Sequence, residues 1–106
     1  MRWNVRLTSL AKRQLLSAAR WYTKQDSEVA EKWLKGFESA IATLAQRPER
    51  FGLSHESHRF PFELRQMLYG SGRRSSHRAL FHIADKEVVV IAILHTSQDD
   101  LSPDDL

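Results

Sequence analysis

The sequence contains no cysteine. Disulfide frameworks, cysteine-ligated zinc sites and thiol nucleophiles are thereby excluded, and a reducing compartment is compatible. Long apolar runs are also missing. The longest, Val88 to Leu94, has seven residues, against the ~20 needed for a membrane-spanning helix. No membrane association is expected. Met1-Arg2-Trp3-Asn4-Val5-Arg6 lacks the apolar stretch of a secretory leader, so a cytoplasmic location is expected. Glycine and proline are sparse, at four and three residues, which excludes collagen-like and low-complexity chains. There is no glycine-rich phosphate loop, and no cofactor is expected.

What remains is an ordinary globular mixture: 106 residues, 42% hydrophobic and 27% charged. That length suits one domain. Four acids, Asp99, Asp100, Asp104 and Asp105, crowd the last eight residues. Residues 1–98 therefore hold 16 basic against 9 acidic side chains, a formal charge of +7. The expected division is a single domain over 1–98 and an acidic tail over 99–106. Arginine outnumbers lysine 11 to 5, and its planar fork matches carboxylates and phosphates. A basic body suggests an anionic partner, either nucleic acid or an acidic protein segment.

Residues 2–7 alternate, with Trp3, Val5 and Leu7 opposite Arg2, Asn4 and Arg6, which predicts a half-buried strand. Thr8 or Ser9 can then cap a helix whose stripe is Leu7, Ala11, Leu15, Ala18 and Tyr22. This helix should end near Lys24-Gln25. Asp26 or Ser27 caps the next one, whose stripe is Val29, Trp33, Phe37, Ala40 and Leu44. Pro48 disfavours helical geometry at Arg47 and stops it. Residues 49–62 read as loop. Strands follow at Leu64–Gly70, His77–Ile83 and Glu87–His95, with Ser71–Ser76 as a basic loop. The apolar Val88–Leu94 run predicts a central strand buried on both faces. The order β-α-α-β-β-β argues an α+β fold: an antiparallel helical hairpin packed on a twisted, mainly antiparallel four-stranded sheet.

Placing Asp85-Lys86 at a hairpin tip sets Ile83 opposite Val88, Phe81 opposite Val90 and Ala79 opposite Ala92. Arg78 then lies across from Ile93 and diagonal to His95, roughly 7–8 Å away. If Gly70 faces His77, the open face gathers Arg65, Tyr69, Arg78, His82 and His95, with Arg73 and Arg74 on the adjoining loop. These residues are the candidates for binding a target or nucleic acid. His55-Glu56-Ser57-His58 has a two-histidine spacing but no convincing third ligand, so it reads as loop polarity and no metal site is expected. Trp3, Trp21, Trp33 and Phe37 read as core aromatics.

Glu63-Leu64-Arg65, Gly70, His77-Arg78-Ala79-Leu80-Phe81, Val88-Val89-Val90 and His95 resemble, in order and spacing, the C-terminal half of RelE/ParE superfamily toxins of type II toxin–antitoxin modules. The opening strand, the hairpin with Trp21-Tyr22, and the Leu44…Pro48 helix exit are similar to the first half. The resemblance implies a growth-inhibiting toxin, held inactive by a cognate antitoxin in a hetero-oligomer. Two targets are implied. ParE-like plasmid stabilisation proteins poison DNA gyrase, whereas RelE-like and YoeB-like members cleave mRNA on the ribosome without a metal. A third reading is a non-toxic relic that only binds the antitoxin.

Under the nuclease reading, Arg78 would bind the scissile phosphate and His95 would act as general acid, a role that suits a pKa of about 6.5. Arg73-Arg74 resemble the paired arginines of YoeB-like members. Other matches fail. The carboxylate expected before the strand leucine falls at Phe62, and Glu63 is one residue off, which on a strand means the other face. The lysine-rich strand and terminal tyrosine of RelE-like members are missing. Thr96-Ser97-Gln98-Asp99 follows His95 in place of a basic tail. This incomplete set favours the gyrase branch.

Overall fold

A computed structural model describes residues 2–70 and 75–106. Its elements are β1 (Asn4–Leu7), α1 (Ser9–Thr23), α2 (Ser27–Ala42), β2 (Arg65–Tyr69), β3 (His77–Ala84) and β4 (Glu87–His95). Short 3-10 turns occupy Thr43–Ala45, Pro48–Arg50, Ser57–Arg59 and Pro103–Asp105. None of the described helices is long and apolar enough to cross a membrane.

Local chemistry explains the boundaries. The Thr8 hydroxyl accepts from the Ala11 N–H at 3.1 Å and donates to the Ile91 carbonyl at 3.0 Å. One side chain thus caps α1 and ties it to β4. Asp26 caps α2 by accepting from the Glu28 and Val29 amides. After α2 and the 3-10 turn at Thr43–Ala45, Arg47 adopts a left-handed conformation, φ 43, and the Pro48 ring disfavours right-handed helix at that position. Asp85 and Lys86 both have positive φ, 47 and 66. That is the turn geometry whose twist matches a two-residue hairpin.

The sheet order is β1-β4-β3-β2. β1 runs parallel to β4, and the other neighbours are antiparallel. β4 is therefore central, and Val88 to Leu94 is buried throughout. One face packs on the helical hairpin through Phe37, Phe81, Val88, Val90 and Ile93. The other face carries Leu80, Val89, Ile91 and Leu94. It is roofed by Phe60, Leu64 and Leu101 from irregular segments. Fully burying an aliphatic or aromatic side chain contributes about 1.5–3 kcal/mol, so both layers matter. Residues 99–106 contribute to this roof, with Leu101 only 2% exposed.

Two registers differ from those expected. The β3–β4 pairing shifts between Leu80 and Phe81. Leu80 pairs with Ala92 while Phe81 pairs with Val90, so Ile91 is an extra residue in β4. A bulge of this kind reverses every side chain beyond it. Ala79 faces Ile93, Arg78 faces Leu94 and His77 faces His95. The β2 register is also one residue off. Tyr69 pairs with His77 and Leu68 with Arg78, so Met67 and Tyr69 turn toward the helices. A one-residue slip moves a whole strand's side chains to the other face.

Candidate functional site

Arg78 does not lie on an open surface. It is 5% exposed, on the sheet face away from the helices. Its Nη1 lies 2.5 Å from Glu56 Oε1 and its Nη2 lies 2.7 Å from Oε2. Glu56 has no exposure at all. Its second oxygen also accepts the Leu101 N–H at 2.7 Å, and Gln66 Oε1 accepts from Arg78 at 3.2 Å. Burial pushes the Glu56 carboxyl up, but the Arg78 and Leu101 hydrogen bonds outweigh it and hold it below the usual range. Asp100 completes the cluster, 3.8 Å from Arg78, 3.7 Å from Arg59 and 2.5 Å from His55. The His55 hydrogen bond chiefly lowers the Asp100 pKa.

The donor atoms of His55, Glu56 and Asp100 all lie within 4.8 Å of one another. Their chemistry is nonetheless that of an ion-pair network. A guanidinium already fills the Glu56 carboxylate, and a second cation there would face its charge directly.

The other arginine and aromatic candidates are also drawn into the fold. Arg65 is half-buried, and its Nη1 donates to the Phe51 carbonyl at 2.6 Å. Tyr69 stacks on Phe37 at 4.4 Å, and its hydroxyl donates to the Trp33 carbonyl at 3.2 Å. Burial, then Tyr22, raises its pKa. His82 stacks on Phe62 at 4.3 Å. Burial first and Arg6 second lower its pKa. Arg73 and Arg74 lie outside the described residues.

His95 ends β4 on the helix-facing side, opposite His77, with ring centroids 5.1 Å apart. It is exposed, and its Nδ1 accepts the Ser97 N–H at 3.1 Å. His77 is 5% exposed and packs against Trp33. Burial, then His95, depresses its pKa to about 4. Both rings line a groove of about 570 Å³ beside α1. The bulge at Ile91 thus sets His95 and Arg78 on opposite faces of the sheet. The expected pairing of these two residues on one face is not formed.

Sequence reasoning missed Glu56. It sits in a segment without periodicity, and no local pattern marks a loop carboxylate as the partner of a strand arginine 22 residues later. The paired histidines His77 and His95 were hidden by the bulge.

The family described as ParE toxin of type II toxin-antitoxin system, parDE, matches residues 5–100. No curated protein matches the chain. Among solved structures, the chain is similar to one described as "Chromosomal ParDE TA system from P. aeruginosa". The TM-score is 0.69 at 20% identity, over 89% of this chain and 96% of that one. At that identity the likeness concerns the fold.

Proposed function

This chain belongs to the ParE toxin family of type II toxin–antitoxin systems, and on that premise we propose that its target is DNA gyrase. It is the toxin component of such a system, with a cognate antitoxin as partner. The proposed action is cytoplasmic: the free chain traps gyrase on DNA and arrests growth, and the antitoxin complex keeps it silent.

One observation carries the choice of gyrase over ribosomal mRNA. Cleavage by attack of a 2′-OH needs a cation on the phosphate and a general acid at the leaving oxygen, acting on one substrate. Arg78 and His95, the residues the superfamily resemblance offers for those roles, project from opposite faces of the sheet. Arg78 is also neutralised by Glu56 beneath a hydrophobic roof. In this reading Arg78 and Tyr69 serve the fold and not the target.

The test is induced expression of the chain alone and together with its antitoxin. The expected result is arrest with a DNA-damage response, relieved by the antitoxin, while protein synthesis declines late. Loss of translation within the first minutes, without DNA damage, contradicts the gyrase assignment. Unimpaired growth contradicts both target readings.

A further inference from the structure

Charge is unevenly divided along the chain. Residues 1–25 hold six basic side chains and no acidic one, and Asp26 is the first acid. The remaining residues hold ten basic and thirteen acidic ones. The positive excess of the chain therefore sits in its first quarter. Four of those six cations, Lys12, Arg13, Arg20 and Lys24, belong to α1 and its C-cap. Charge asymmetry of this kind points to a polyanionic partner.

The fold aligns these cations. Ala11, Leu15 and Ala19 are buried and turn α1 onto the sheet. At 3.6 residues per turn, Arg13, Arg20 and Lys24 fall within an arc of about 40° on the opposite side, spread over about 16 Å of helix. All three are exposed. Lys24 keeps right-handed helical backbone, φ -65 and ψ -24, so the row continues through the cap. Elsewhere Arg6 pairs with Glu87, Lys35 with Glu31 and Arg59 with Asp100. Among the described residues no carboxylate pairs with Arg13, Arg20 or Lys24. Asp99, Asp100 and Asp105 border α1 at Leu10 and Gln14, to one side of the row. Asp100 is already held by His55, Arg59 and Arg78, and Asp105 accepts the Ser102 N–H. Arg20 and Lys24 lie about 9 and 15 Å further along the helix than Gln14.

We propose that α1 grips the phosphate backbone of duplex DNA through Arg13, Arg20 and Lys24, without reading base sequence. The inference deepens the gyrase reading and rests on it only for where the duplex is met, on the DNA that gyrase holds. A duplex carries one charge per about 1.7 Å of its axis, so a row of about 16 Å meets several phosphates at any inclination. Arginine forks match phosphate oxygens. Arg20 and Lys24 also offset the negative end of the helix dipole, but Arg13, two turns earlier, has no such role. A lipid surface suits α1 poorly. A helix lying in a membrane presents one contiguous apolar face, and that face of α1 is occupied by the sheet. The exposed Leu16 and Trp21 lie about 140° apart around the helix, too far to form another.

The test reads the fluorescence anisotropy of a labelled duplex of about 20 base pairs against the full chain, between about 50 and 200 mM salt. Three phosphate contacts predict a slope of about −2.7 in log affinity against log salt, or about a 40-fold loss over that range. Arg13→Gln with Arg20→Gln and Lys24→Gln should weaken binding at least about tenfold at the lower salt. Glutamine is nearly as good a helix former as arginine or lysine, so this variant should fold. Arg2→Gln with Lys32→Gln and Lys86→Gln makes the same change in net charge away from α1, and should keep the parent affinity within about threefold. A salt slope shallower than about −1 for the parent chain overturns the proposal. Equal losses in the two triple variants do so too, as does a glutamate peptide of about ten residues that binds as tightly as the duplex. Gyrase-linked plasmid breaks are scored separately. A chain that makes them without binding the duplex sinks the α1 grip and leaves the gyrase reading standing. A chain that binds the duplex through the row without making them keeps the grip and sinks that reading.

Discussion

Arg78 and Glu56 face each other fork to fork, at 2.5 and 2.7 Å, and both are buried. A buried pair of this kind is asymmetric in its energetics. Removing one partner strands the other charge, which typically costs about 3–5 kcal/mol. Glu56→Ala should therefore destabilise the chain by that amount in urea unfolding. Replacing both residues with apolar ones, Glu56→Leu with Arg78→Met, should recover most of the loss. A Glu56→Ala chain as stable as the parent contradicts the pair's structural role. The sign with pH is fixed too. The folded Glu56 pKa lies below its ordinary 4.5, so this contribution is present above the unfolded pKa. It is lost as pH falls through the folded value.

His77 acts in a higher pH window. Its folded pKa is about 4 against 6.5 ordinarily. Between those values the unfolded chain binds a proton that the folded chain refuses, so stability rises with pH there. Acidification from pH 6.5 to 4 should cost roughly 3 kcal/mol through this residue. His77→Phe, whose ring suits the Trp33 and Phe37 neighbours, should flatten that part of the profile. Urea midpoints measured across the interval check it, and an unchanged slope in the variant counts against the assignment.

Gly36 lies in the interior of α2, where alanine normally stabilises by about 1 kcal/mol. Here a Cβ would run into the Tyr69 hydroxyl oxygen. Tyr69 cannot swing away freely, because it stacks on Phe37 and donates to the Trp33 carbonyl. Gly36→Ala should lower the melting temperature, with a loss of about 1–3 kcal/mol. Adding Tyr69→Phe should reverse most of it, since the next ring atom is 3.4 Å from the new methyl. A stabilising Gly36→Ala in the parent background would refute the close approach.

Leu101 gives the acidic C-terminal segment a structural function. It is 2% exposed and packs in the layer with Phe60, Leu80 and Leu94. Leu101→Ala should cost about 2–5 kcal/mol. Urea unfolding that shows less than about 0.5 kcal/mol of change would mean the roof is dispensable.

Much of the architecture was legible in the residues. The Trp3-Val5-Leu7 alternation, the caps at Thr8 and Asp26 and the Asp85-Lys86 turn all act through local sterics or hydrogen bonds, whereas α2 ends at Ala42, ahead of the stop expected at Arg47. The Val88–Leu94 run announced a strand buried on both sides. That same property concealed the bulge. With Val89, Ile91, Ala92, Ile93 and Leu94 all apolar, no polar residue marks which side chain faces which layer, and an extra residue leaves no trace. The candidate site suffered accordingly. Arg78 reads as a surface cation because its roof, built from residues 53–64 and 96–101, has no periodic signature, whereas Tyr69 departs from its expected place through the one-residue slip of β2 that turns it toward the helices.

The most direct measurement of the central claim is a cleavage assay with purified chain, DNA gyrase and supercoiled plasmid. Protein-linked, linearised plasmid should accumulate in proportion to the chain, persist with His95→Ala, and vanish when antitoxin is added. Intact plasmid under those conditions, together with mRNA cut in a translating extract and spared by His95→Ala, would contradict the account.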